Sequence, residues 1–226
     1  MTVIVEAAVE SLDDALAAVA GGADRLELCA DLNSGGTTPP SPLIAAVREK
    51  VELPILVMIR PRGGDFVYSE DELSQMYEDV AMARALGAAG VVLGVLDTFD
   101  RLDLERTAAL VEAAEGLPVT FHRAIDLVAR RVVSIDALAA LGIARVLTSG
   151  GAETASEGTD ELRAMVQRAN DRLTVVAGGG VRAHNAREIV ERTGVTELHA
   201  RCSGDSERIR GIVEATRVSD ARPVRD

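Results

Sequence analysis

Eight short runs of valine, isoleucine and leucine alternate along the whole chain with longer stretches rich in alanine, leucine, glutamate and arginine. No other feature constrains the fold as much. A strand, a helix and a second strand in succession return the second strand parallel to the first, so the pattern predicts a parallel sheet covered by helices. The candidate strands are VIVEAA from Val3, DRLELC from Asp24, PILVMIR from Pro54, AGVVLGVL from Ala89, PVTFHRA from Pro118, ARVLTS from Ala144, LTVVAG from Leu173 and TELHA from Thr196. Between them lie segments of helical period. In the first, Leu12, Ala15, Leu16 and Val19 are expected on one buried face, with Ser11, Asp13 and Asp14 supplying the cap and first-turn charge. Gly21, Gly87, Gly142 and Gly194 each follow such a segment, where a left-handed cap favours glycine. Eight units in 226 residues leave about 28 residues each, which suits a (β/α)8 barrel of the TIM type with few insertions. A doubly wound open sheet is the competing arrangement. No linker or low-complexity tract divides the chain, so a single domain over residues 1–217 is expected, with a fraying tail at 218–226.

Charge narrows the list of partners. A formal net charge of -12 disfavours nucleic acid and anionic membrane, which basic patches normally recognise. No apolar run approaches the roughly 18 residues of a membrane span, and the N-terminal residues carry acid where a signal peptide carries base. The expected setting is cytoplasmic. Cys29 and Cys202 form no CxxC pair and imply neither a disulfide framework nor a zinc site.

Strands buried on both faces make every mid-strand charge costly unless it is paired or used. Side chains alternate along a strand, so Glu27 and Cys29 share one face against Leu26 and Leu28; Thr120 and His122 oppose Val119 and Phe121; Glu197 and His199 oppose Leu198. If the apolar sides meet the helices, Glu6, Glu27, Arg60 and His199 point into the barrel near the C-terminal ends of strands 1, 2, 3 and 8. These strands are consecutive once the barrel closes. Glu27 and Arg60 are expected within direct or water-mediated hydrogen-bond reach. His122 would face the cluster across the mouth, with Arg62, Asp97, Arg123, Asp126 and Ser149 on flanking loops, where sites in this fold gather. Arg60-Pro-Arg62-Gly-Gly-Asp65 could grip a carboxylate or phosphate, or fold as a tight loop pairing Arg62 with Asp65. The run Gly178-Gly179-Gly180 lies where many barrels bind phosphate through backbone N–H groups, and equally suits a plain turn. Phe66 and Tyr68 make either a lid or a packing anchor. His184 reads as a surface residue.

The segments GADRLELC (Gly22 to Cys29), IRPRGGDFVYS (Ile59 to Ser69), GVLD (Gly94 to Asp97), VTFHRAID (Val119 to Asp126) and ARVLTSG (Ala144 to Gly150) resemble the CutC family, named for copper homeostasis. The resemblance runs from strand 1 through strand 8. It implies a TIM-type barrel, a homodimer or larger oligomer, and a polar site at the mouth built on the Glu, Arg and His positions above. Light scattering is expected to give at least twice the 23.8 kDa of one chain; the mass of a single chain would refute the dimer. The family's proposed Cu(I) ligands include a cysteine two residues after the position of Glu6, and here that position is Ala8. Cys29 is left, with Cys202 as a candidate substitute. The segment after His199 is also shorter than the family's serine-rich insertion.

Two functions follow. One is a copper-handling protein holding Cu(I) through Cys29, helped by a histidine or Cys202. The other is an enzyme on a small phosphorylated or carboxylated metabolite: Arg60, Arg62, Asp97, Arg123, Ser149, Gly179, Gly180 and His199 form the binding surface, Glu27 or Glu6 abstracts a proton, and His122 donates one. A divalent metal on Glu6, Glu27 and His199 would join the two.

Overall fold

The computed structural model describes residues 2–217, so the expected tail lies outside the described residues. Strands β1 (Ile4–Val9), β2 (Arg25–Leu28), β3 (Ile55–Met58), β4 (Gly90–Leu93), β5 (Val119–Phe121), β6 (Arg145–Thr148), β7 (Thr174–Ala177) and β8 (Glu197–Arg201) form a closed barrel in sequence order. Every pairing is parallel, and β1 joins β8 with Glu6 opposite His199. Closure rules out the open sheet. Eight helices follow the strands in turn: α1 (Leu12–Ala20), α2 (Ser41–Lys50), α3 (Glu70–Ala85), α4 (Leu104–Ala113), α5 (Arg131–Ala140), α6 (Thr159–Ala169), α7 (Ala183–Thr193) and α8 (Ser206–Arg217).

The alternation sorts side chains into two apolar groups. Val5, Leu26, Leu28, Val57, Val91, Phe121, Val146 and Leu198 face outward and pack with the helices in one continuous core. Inside the barrel, Leu56, Met58 and Val92 form a separate small cluster with Cys29. The β3–β4 side of the interior is therefore apolar. The β8–β1–β2 side carries the charges.

Helix α1 departs from the expected face. Ser11 caps it as anticipated, accepting from the Asp14 amide, but Ala15 and Ala18 are its buried residues while Leu16 and Val19 are 45% and 41% exposed. Alanines let the helix lie close to its neighbours. Gly21 serves the same close approach, because a Cβ there would lie 2.6 Å from the Ser206 carbonyl oxygen on α8. Its φ of -76° is right-handed, and Gly22 at +83° makes the left-handed turn instead. Gly87, Gly142 and Gly194 have positive φ as expected.

Candidate functional site

An ionic chain crossing three strands runs through the barrel interior and reaches one wall of the mouth at Glu27 and His199. Glu6 on β1 accepts from Arg25 Nε on β2 at 2.6 Å and meets His199 Nδ1 on β8 at 2.8 Å. Arg25 also pairs with Glu197. His199 Nε2 lies 3.7 Å from Glu27 Oε2, and the Cys29 thiol donates to that same oxygen at 3.5 Å. Glu27 Oε1 is buried with no protein partner. Burial alone would raise the Glu6 carboxyl, but the His199 hydrogen bond and the Arg25 guanidinium outweigh it and hold the carboxyl at about 2. Glu27 moves the other way: burial, reinforced by the Glu6 charge, raises it above the ordinary carboxylate value against the pull of His199. Burial would lower His199, yet the two carboxylates prevail and raise it.

The opposite wall stacks three side chains. The Arg60 guanidinium lies 4.7 Å from the Phe66 ring centre, and Phe66 lies 4.8 Å from the His122 ring. Phe66 is thus a wall of the cavity, while Tyr68 is 3% exposed and packs in the core. Arg60 donates to the carbonyls of Ser34 and Gly36 at 3.0 and 3.1 Å and of Gly64 at 2.7 Å, leaving Nε unpartnered. The direct form of the expected pairing with Glu27 is not made. No direct ion pair joins Arg60 to Glu27, because loop carbonyls surround the guanidinium while Glu27 meets His199 and Cys29. His122 is pushed down to about 3, first by burial and then by the Arg60 charge, so its imidazole is neutral across the physiological range.

The rim is organised by Asp126. Its carboxylate accepts from Arg123 Nε, Thr148 and Ser149 hydroxyls, and the amides of Ser149 and Gly151. Arg123 Nη2 donates to Ser149 Oγ at 2.8 Å. Its other terminal nitrogen lies 3.3 Å from where a Cβ on Gly179 would stand, so the guanidinium covers the glycine turn after β7. Gly179 and Gly180 both have positive φ. The cavity enclosed by these walls has a volume of about 460 Å³ and is lined by Glu27, Arg60, His122, Arg123, Gly179, Gly180 and His199, among others.

Four sequence-selected residues stand apart. Arg62 turns back onto Glu72, Asp65 and the Val67 carbonyl, the tight-loop alternative. Asp97 accepts from Arg101 and from the amides of its own turn. His184 is exposed on α7. Cys202 packs in the outer core with its sulfur toward the Asp205 carbonyl, whereas Cys29 belongs to the inner cluster. The structure does not bring the two thiols to one site.

Two inward charges escaped the sequence reading. Arg25 is the counter-charge of the whole ionic chain, and Arg145 on β6 is lowered by burial and then by Arg25, with its Nε unpartnered. Strand alternation carries the signal for Arg25, which lies two residues before Glu27. Donor atoms of Glu6, Glu27 and His199 come within 4.8 Å of one another. Glu6 is already paired there with Arg25 and with His199.

A closed (β/α)8 barrel with a polar cavity at the C-terminal ends of its strands defines the class. The sequence model of the CutC family matches residues 3–204, and the chain belongs to that family. It is 42% identical over 209 residues to the human copper homeostasis protein cutC homolog, covering 92% of this chain and 76% of that protein. A CutC family protein of Xylella fastidiosa is 48% identical over 195 residues, covering 86% and 73%. The crystal structure of a CutC protein from Streptococcus agalactiae superposes with a TM-score of 0.85 at 36% identity, over 92% of this chain and all of that one. A thiamine phosphate pyrophosphorylase from Pyrococcus furiosus, at 16% identity and a TM-score of 0.64, shares the fold alone. Among the described residues no helix is long and apolar enough to cross a membrane.

Proposed function

We propose that the barrel mouth is an acid–base site for a small phosphorylated or carboxylated metabolite. One observation carries this reading: Glu27 Oε1 and His122 Nε2, both fully buried, have no protein partner and belong to residues lining one cavity. A buried polar atom left unpaired costs about 1–3 kcal/mol, which a bound ligand recovers. Arg60 and Arg123 supply positive charge for the anionic end, Gly179 and Gly180 let it approach the backbone, and Ser149 holds Arg123 from behind the rim. Glu27 is the base, made stronger by its raised pKa when ionised, and neutral His122 is the donor. Glu6 acts through His199, whose ring it orients. Arg62 and Asp97 contribute by shaping the loops at the rim. Calorimetric titration with 2-phosphoglycolate, which carries both a carboxylate and a phosphate, tests the reading. Arg123→Gln is expected to weaken binding about tenfold or more, because a hydrogen bond to a charged group contributes about 1.5–3 kcal/mol. Equal affinity in the variant would remove Arg123 from the site.

The relatives' names make a cytoplasmic role in copper homeostasis, with Cu(I) bound at the mouth, the second reading. Cys29 is the observation that favours it. Its thiol shares the inner cluster with Met58, and thiolate and thioether are the soft ligands Cu(I) prefers. Both cysteines are free, as suits a reducing compartment. Burial pushes the Cys29 thiol well above its ordinary value, which opposes the thiolate a metal needs. The expected result of competition with a Cu(I) chelator is one weak site per chain at most, abolished by Cys29→Ser and unchanged by Cys202→Ser. Tight copper retained by Cys29→Ser would exclude this thiol as the ligand.

A further inference from the structure

We propose that His122 is a fixed Nε2–H donor to a carbonyl oxygen, with Gly94 as the residue that positions its ring, and that the cavity takes an anionic carbonyl compound whose α-proton faces Glu27. This deepens the acid–base reading and rests on it.

One hydrogen bond of the ring points to its tautomer. His122 Nδ1 accepts from the Ala124 amide at 3.3 Å, the backbone turning there into the short 3-10 helix Arg123–Leu127. An imidazole nitrogen that accepts holds no proton, so the proton of the neutral ring sits on Nε2. That N–H is buried and has no acceptor in the protein, while the residue lines the cavity. What it lacks is a ligand oxygen.

The ring is also held in place from two sides. A Cβ on Gly94 would lie 2.5 Å from both Nδ1 and Cε1 of His122 and 3.2 Å from the Ala124 Cβ. Only glycine at the end of β4 lets the imidazole lie there. Phe66 packs against it from another direction at 4.8 Å. A donor locked in this way serves best where negative charge develops on an oxygen during reaction, because it needs no reorganisation then.

A carbonyl oxygen meets that description. Glu27 Oε1 takes the proton from the carbon next to the carbonyl; the C–H electron pair becomes a C=C bond, and the C=O π pair moves to the oxygen, which accepts from His122 Nε2–H. Return of the proton from Glu27 to the same carbon restores the carbonyl; where that carbon carries a hydroxyl, return to the former carbonyl carbon, with the hydroxyl proton passing to the former carbonyl oxygen, gives the isomeric carbonyl. No oxidant or co-reactant is needed. The cationic groups of the rim hold the anionic end throughout.

Long-range 15N–1H correlation spectra of the labelled, ligand-free wild type test the donor directly. The expected His122 pattern is that of the neutral Nε2–H tautomer, unchanged from about pH 5 to pH 8, the range in which an unperturbed histidine titrates. A Nδ1–H pattern, or titration of His122 within that range, overturns the proposal. Gly94→Ala is expected to displace the ring and alter this pattern; an unaltered pattern in the folded variant removes Gly94 from the account, and the wild-type spectrum decides the tautomer even if the variant fails to fold. Pyruvate, added to the wild type, should shift the Nε2–H proton while lactate at the same concentration does not. An equal shift from both, or none from either, overturns the carbonyl assignment. The tautomer is read without ligand, so its failure is separate from a failure of the anion site, which the calorimetry reads.

Discussion

Glu6→Ala is expected to destabilise the protein by about 3–5 kcal/mol at neutral pH, the usual cost of removing one partner from a buried ion pair. At roughly 2–4 °C per kcal/mol for a domain of this size, the melting temperature should fall by about 10 °C. The size follows from the surroundings of the carboxylate. Glu6 is 1% exposed and accepts from Arg25 and His199 at once. Its loss leaves one guanidinium facing only Glu197 and one imidazole facing only Glu27. Removing both strand charges together, as in Glu6→Ala/Arg25→Met, should recover part of the loss, since the unpaired cation goes with its partner. Urea denaturation of the two single variants and the double variant provides the measurement. Additive losses, with no recovery in the double variant, would show that the pair is not coupled.

His122 is expected to dominate the loss of stability in mild acid. Its folded value lies at about 3, against about 6.5 in an unfolded chain. Above pH 6.5 the ring is neutral in both states and contributes nothing. As pH falls through 6.5 the unfolded chain gains a proton that the folded protein refuses, so stability drops by about 2 kcal/mol at pH 5 and about 4 kcal/mol by pH 3. His199 works in the opposite direction, because its raised value gives stability that is fully present below the unfolded pKa and lost as pH rises through the folded one. Glu6, depressed to about 2, adds a loss only below the ordinary carboxylate range. A comparison of His122→Gln with wild type isolates the first contribution. The variant's stability should decline less between pH 6.5 and 5; parallel curves would mean that the ring is protonated in the folded state.

The barrel was legible because its signal is repeated eight times and each strand needs apolar residues on its helix-facing side. The same alternation read Glu6, Glu27, His122 and His199 as inward, and all four line or support the mouth. It would have read Arg25 and Arg145 too, had charges deeper in the strands been weighed with those at their ends. Cys202, kept as a candidate ligand, faces outward, since His199 and Arg201 hold the inward positions of β8. Strand parity is silent on loops. The partners of Arg60 depend on which carbonyls the turns after β2 and β3 present, and Arg62 had one acid in its own loop and another in the first turn of α3 to choose from. The rotation of α1 was hidden for a similar reason: small residues, not large ones, face a tight contact.

Thermal unfolding of metal-free wild type with and without 2-phosphoglycolate tests the central claim, that the mouth is a site for a small anion. A ligand present at a hundred times its dissociation constant stabilises by about 2.7 kcal/mol. For a chain of this size that corresponds to a rise in melting temperature of roughly 5–10 °C, and the rise should shrink in Arg123→Gln. An unchanged melting temperature with the anion, alongside tight Cu(I) binding that disappears in Cys29→Ser, would contradict the account.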